Sequence, residues 1–156
     1  MVSRFEQFSY YISSIHRSIQ KIERVEMAKY GLKGPHAQCL LALRRYPEGL
    51  TSARLCEISD KDKAAISRTV AELEKAGMVL RREPEGKRYR AILTLTEKGE
   101  QVAQGVSDIA YQAVKQAAAG YNLQQREVFI QVLELISDNL QGICRDGLNE
   151  EANMGE

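Results

Sequence analysis

Residues 50–99, LTSARLCEISDKDKAAISRTVAELEKAGMVLRREPEGKRYRAILTLTEKG, decide the fold. Thr51 or Ser52 can cap a short helix over residues 53–58, because a hydroxyl there accepts from a first-turn amide that has no partner within the helix. Ser59-Asp60-Lys61 breaks the apolar rhythm. Asp62 is the best cap for a second helix, which sets Ile66, Val70 and Leu73 on one face at spacings of four and three and ends at Gly77. The pattern then changes. Met78 to Glu83 and Lys87 to Leu95 read as two strands around a turn at Pro84-Glu85-Gly86, with Ala91, Leu93 and Leu95 alternating inward and Lys87, Arg88 and Arg90 at the tip.

The second helix has two faces. Opposite its aliphatic stripe it offers Lys63, Ala64, Ala65, Ser67, Arg68 and Thr69, which are small, hydrogen-bonding or cationic. Small residues let a helix approach a major groove closely, Ser67 and Thr69 can bond bases or phosphates, and Arg68 has the fork that fits guanine O6 and N7. Two short helices followed by a basic-tipped ribbon are the layout of a winged helix-turn-helix. This predicts a mainly α fold with a small β-hairpin wing, and double-stranded DNA as the partner.

The wording of two segments, ISRTVAELEKAGMV at 66–79 and AILTLTEKG at 91–99, resembles the MarR family of bacterial transcription regulators, strongly over residues 33–100 and elsewhere through helix length and order. In that family a comparable helix ends in Leu-Glu-Lys-x-Gly-hydrophobic-Val, and the second wing strand runs into Leu-Thr-Glu-x-Gly. One departure matters. The family usually carries Asp-x-Arg at the wing, whereas Lys87, Arg88 and Tyr89 stand there in this chain, so the resemblance implies phosphate contact by the tip but no specific wing mechanism.

A chain of 156 residues fits one domain with a sizeable core. Apolar runs are short and the beginning of the chain is polar and amphipathic, so neither a membrane span nor a signal peptide is expected, and the expected compartment is cytoplasmic. Net charge is only +1. Residues 60–90 nevertheless hold nine Lys/Arg against six Asp/Glu, and the remainder thirteen against fifteen, which concentrates positive charge where nucleic acid would lie. Cys39, Cys56 and Cys144 are scattered and form no Cys-x-x-Cys pair, which argues against a disulfide framework and a zinc finger; no cofactor and no metal are expected.

Outside the reading part, Phe5, Phe8, Ile12, Ile15, Ile19 and Ile22 recur at three and four as in a heptad seam, and Phe129, Val132, Leu133, Ile136, Leu140 and Ile143 draw a second stripe after a break at Gly120-Tyr121-Asn122. Between them a helix capped by Thr96 carries Val102, Val106, Ile109, Ala113 and Ala117. Periodicity alone fits either an intramolecular core or a partner helix. The resemblance implies the second, with first and last helices of two subunits interlocked so that two reading helices face a near-palindromic operator. The expected layout is one domain over 1–156: dimerisation helices at 1–32 and 120–145, the winged helix at 33–96, a connector at 97–119 and a flexible tail at 146–156.

Family members often bind small aromatic anions between the first helices and the connector, which makes His16 and His36 candidate effector contacts. Some relatives sense oxidants through a cysteine in the first helix; that helix has none here, leaving Cys39 or Cys56 for a redox-responsive alternative. Catalysis has no motif: there is no Gly-rich phosphate loop, no Gly-x-Ser-x-Gly and no His-Glu-x-x-His. The expected function is a homodimeric, sequence-specific DNA-binding regulator, a repressor released by a small-molecule effector. Expected DNA contacts are Ser52, Lys63, Ala65, Ser67, Arg68, Thr69, Lys87, Arg88 and Arg90. The alternative from another class is a winged helix used for protein contact without DNA.

Overall fold

A computed structural model describes residues 4–82 and 91–148. The chain divides into two compact units, Met1–Lys115 and Gln116–Glu156. In the first, α1 (Arg4–Ala28) and α2 (Gly34–Arg45) lead into a two-residue strand β1 (Leu50–Thr51), then α3 (Ser52–Ser59), α4 (Lys63–Lys75), β2 (Val79–Arg82), β3 (Ile92–Leu95) and α5 (Glu97–Ala117), whose last residues fall in the second unit. The second unit carries α6 (Leu123–Asp146). The expected turn at residues 84–86 and most of the expected tail lie outside the described residues.

The sheet departs from the simple hairpin expected. It has three antiparallel strands in the order β1-β3-β2, with Leu50 opposite Leu93 and Thr51 opposite Ile92 on one side of β3, and Val79 opposite Leu95 on the other. Two residues are too few to show a period of two, so β1 exists by pairing with a strand already in place rather than by its own pattern. As the middle strand, β3 buries Ala91 and Leu93 beside it and leaves Leu95 half-buried against the core.

The core of the first unit joins Met27 of α1, Ala37, Leu40 and Leu43 of α2, Leu55 of α3, Ile66, Val70 and Leu73 of α4, Met78, Val79 and Leu93 of the sheet region, and Val102, Ala103 and Val106 of α5. Leu73 is completely buried, so truncation to alanine should cost about 2–5 kcal/mol of stability. The start of α5 is stitched to the end of α4. Thr96 caps α5 by accepting from the Gly99 amide at 3.0 Å while its hydroxyl donates to the Gly77 carbonyl at 2.8 Å. Lys98 Nζ donates to the Ala76 carbonyl at 2.7 Å, and the Thr96 amide to the Met78 carbonyl at 3.0 Å. The Thr-Glu-Lys-Gly wording thus fastens α5 to the end of α4. Arg44 of α2 adds a second tie, donating to Glu100 at 2.8 Å and to Gln104 on α5.

In the second unit Asn122 caps α6, accepting from the Gln125 amide at 2.8 Å while the Gln125 side chain returns to the Asn122 amide at 3.0 Å. No residue of α6 is buried, and Phe129, Val132 and Leu140 are among its exposed apolar residues. In the first unit Ile12 and Ile15 of the α1 seam are likewise exposed, with Phe8, Ile19 and Ile22 half-buried. Among the described residues no helix is long and apolar enough to cross a membrane.

Candidate nucleic-acid interface

Local chemistry builds a helix-turn-helix. Thr51 takes the cap of α3, accepting from the Arg54 amide at 3.2 Å, and Ser52, half-buried, begins the helix. Asp60 ends it in the left-handed region (φ 48°), with its amide turned back to the Cys56 carbonyl. Asp and Asn tolerate that conformation better than branched residues, which suits Asp60 to the turn. Asp62 then caps α4 by accepting from the Ala65 amide at 2.8 Å. That hydrogen bond, helped by the Ala64 amide and by the charge of Arg68, holds the Asp62 carboxyl below the ordinary aspartate range.

The burial of α4 follows its sequence period. Ile66, Val70 and Leu73 are buried, Lys63, Ala64, Ser67 and Arg68 are exposed, and Ala65 and Thr69 are half-buried at the border. Lys63, Ala65, Ser67, Arg68 and Thr69 therefore come together along the outer side and first turns of one helix. Ser52 stands at the start of the preceding helix. Lys87, Arg88 and Arg90 lie outside the described residues.

Two ties to α4 escaped sequence reasoning. Arg81 of β2 grips Glu74 with both ends of its fork, Nε to Oε1 at 3.0 Å and an Nη to Oε2 at 3.1 Å, a bidentate geometry that fixes the wing base against the helix. His36, at the start of α2, is buried and reaches Glu72 of α4, with Nε2 2.7 Å from Oε2. Its Nδ1 is 2.9 Å from the Lys33 amide. Because an ionised carboxylate only accepts, Nε2 carries the proton toward Glu72, while Nδ1 faces both the Lys33 amide and, at 3.1 Å, the Lys33 carbonyl. The first tie had a faint sequence signal, opposite charges on the helix end and the strand after it. The second had none.

His16 and His36 line two neighbouring cavities that share Gln38, Ser59 and Lys61. His36 lines a cleft of about 300 Å³ with Lys33, Lys61, Thr69, Arg68 and Glu72, between the start of α2 and α4. His16, whose Nε2 is 2.8 Å from Gln20, lines a larger cavity of about 630 Å³ with Glu23, Gln38, Arg45, Tyr46 and Lys61, walled by α1, α2 and the end of α3. Glu23 is buried there, and burial pushes its carboxyl above the ordinary range, an effect that the nearby His16 reduces. Cys39 is buried in the core, which drives its thiol up to about 12 and leaves almost no thiolate to react. Cys56 is half-buried and Cys144 exposed. Among the described residues no three His, Cys, Asp or Glu side chains gather as a metal site would require.

Residues 30–88 match the model of the MarR family. Among solved structures, a crystal structure of MarR superposes with a TM-score of 0.80 at 22% identity, covering 94% of this chain and 99% of that one. A MarR transcriptional regulator from Methanosarcina mazei Go1 gives 0.78 at 24% identity over 88% and 92% of the two chains. A protein from Listeria monocytogenes described as a MarR family transcriptional regulator, in complex with a 26mer DNA, gives 0.74 at 20% identity over 94% and 95%. No curated protein matches by sequence. Residues 30–88 are therefore similar to the MarR family, and the chain has the winged-helix fold seen in solved structures of MarR transcriptional regulators.

Proposed function

We propose that the protein is a homodimeric, sequence-specific DNA-binding transcription regulator, acting as a repressor that a small molecule releases. One observation carries the DNA-binding part: α4 turns Lys63, Ser67 and Arg68 to solvent while its other side is locked into the core by Ile66, Val70 and Leu73. A helix held rigidly from behind and coated with small, polar and cationic groups suits a major groove, where affinity comes from phosphates and specificity from base edges. The 26mer DNA bound by the Listeria relative supports the same partner class. Such a protein would work where the DNA is, in the cytoplasm.

Dimerisation is supported by the apolar residues left exposed on α1 and α6, since 24 helical residues with none buried do not form a stable element in isolation. Two reading heads roughly add their binding free energies, and blocking a promoter is the simplest consequence of such occupancy. The cavity around His16 and Glu23 supports an effector site, where a ligand that prefers one spacing of the two heads would shift the population toward release. The test is a titration of labelled duplex DNA at several salt concentrations, with the oligomeric state measured by analytical ultracentrifugation. Affinity that falls steeply with salt, from a dimer, is expected. A monomer, or salt-independent binding, would refute the proposal.

A further inference from the structure

We infer that His36 is a positioning residue for DNA reading: by holding the Glu72 carboxylate it keeps that acid off Arg68, one helical turn earlier on α4. This rests on the DNA-binding reading above. Residues four apart on a helix are neighbours, and an arginine and a glutamate at that spacing can pair, though less strongly with the arginine first than with the glutamate first. They do not pair here. Glu72 is taken by His36 Nε2 at 2.7 Å, and Arg68, whose charge also reaches the Asp62 carboxyl, makes no hydrogen bond or ion pair among the described residues, although it lines the same cleft. The acceptor that would otherwise occupy the fork of Arg68 is held from behind.

The geometry makes this hold a fixed one. The His36 side chain is only 4% exposed and sits in the first turn of α2, with Nδ1 anchored on the Lys33 amide, so the ring cannot swing away without losing that bond as well. Glu72 is half-exposed and flexible in principle, and the hydrogen bond to a buried donor gives its carboxylate one address. An arginine fork already engaged by a carboxylate must break that contact before it can reach guanine O6 and N7. Unengaged, it meets the base directly. His36 thus acts on specificity through Glu72, without touching DNA itself.

The test uses the duplex enriched from a random library and a scrambled duplex of the same composition, at one fixed salt, and reads the ratio of the two affinities, in which a general change of charge cancels. His36→Leu removes the hold at similar volume. An ion pair worth a few tenths per helix, on two reading helices, should lower the ratio about two- to fivefold. Adding Glu72→Gln should restore it, and His36→Gln, which keeps an N–H toward Glu72, should retain it. An unchanged ratio in His36→Leu, or a loss that Glu72→Gln does not restore, overturns the inference. If His36→Leu fails to fold, Glu72→Gln alone decides: a ratio within about twofold of the starting protein is expected, and a several-fold rise would mean that the carboxylate already sits on Arg68. Failure of the unmodified protein to prefer any duplex would instead refute DNA reading.

Discussion

Gly99→Ala should be among the most damaging single-methyl changes in the chain. A Cβ at residue 99 would overlap the Met78 carbonyl oxygen, lie 2.9 Å from the Met78 carbonyl carbon and 3.3 Å from Leu95 Cδ2. Neither backbone can give way alone. Thr96 and Lys98 tie the same turn of α5 to the Gly77 and Ala76 carbonyls, so relieving the overlap pulls on those bonds too. Overpacking costs about 1–3 kcal/mol, and weakening one or two hydrogen bonds adds about 0.5–1.5 kcal/mol each, which centres the expected loss near 3 kcal/mol. For a domain of this size that lowers Tm by about 6–12 °C. Thermal unfolding followed by circular dichroism measures it, with Gly105→Ala as control. The control residue is also in α5, but its Cβ would meet nothing nearer than Glu26 Oε1 at 3.9 Å, so better helix propensity should leave it neutral or up to about 1 kcal/mol more stable. An unchanged Tm in Gly99→Ala, or the same shift in both variants, would refute the packing argument.

Asp62→Ala should lower Tm at neutral pH by removing the cap of α4. Because the folded carboxyl titrates below its ordinary range, the cap's contribution is complete above that range and is lost as pH falls through the depressed value, so the gap between the two proteins should close in acid. Glu23→Gln should do the reverse. Its raised carboxyl lets the folded state bind more protons than the unfolded state, so stability declines as pH rises through that window, and the neutral amide should raise Tm at pH 7 with little effect near pH 4; an equal shift at both values would contradict the burial argument. With a thiol reagent, exposed Cys144 should react promptly and Cys39 only on unfolding, as mass spectrometry of digested protein would show; early modification of Cys39 would place it outside the core.

What the sequence disclosed was local. Ile66, Val70 and Leu73 show a helical period in a row of residues, Asp62 and Thr96 are caps recognisable from the helical pattern that begins just after each, and all five stand in their expected roles. β1 was invisible because it is two residues long and depends on β3, some forty positions away; the structure also shows β3 packed close on Gly49, where a Cβ would lie 2.8 Å from the Leu93 carbonyl oxygen. Long-range polar partners were hidden for the same reason. His36 looked like a residue awaiting a ligand, yet it meets a carboxylate 36 positions later, and no spacing rule connects a helix start with a turn of another helix. His16 lines a neighbouring cavity that shares Gln38, Ser59 and Lys61 with the cleft of His36, a proximity that no spacing in the sequence shows. The exposed face of α4 was legible since exposure follows directly from the buried stripe, whereas the basic tip at 87–90 falls outside the described residues.

The central claim is that α4 reads DNA bases through Arg68. Selecting bound duplexes from a random library at fixed salt, with the unmodified protein and Arg68→Ala side by side, tests it most directly. The account predicts a near-palindromic site with half-sites about one helical turn apart, and a loss of about 1–3 kcal/mol per contact at one base position of each half-site in the variant. Identical enrichment by both proteins, or none by either at low salt, would contradict it.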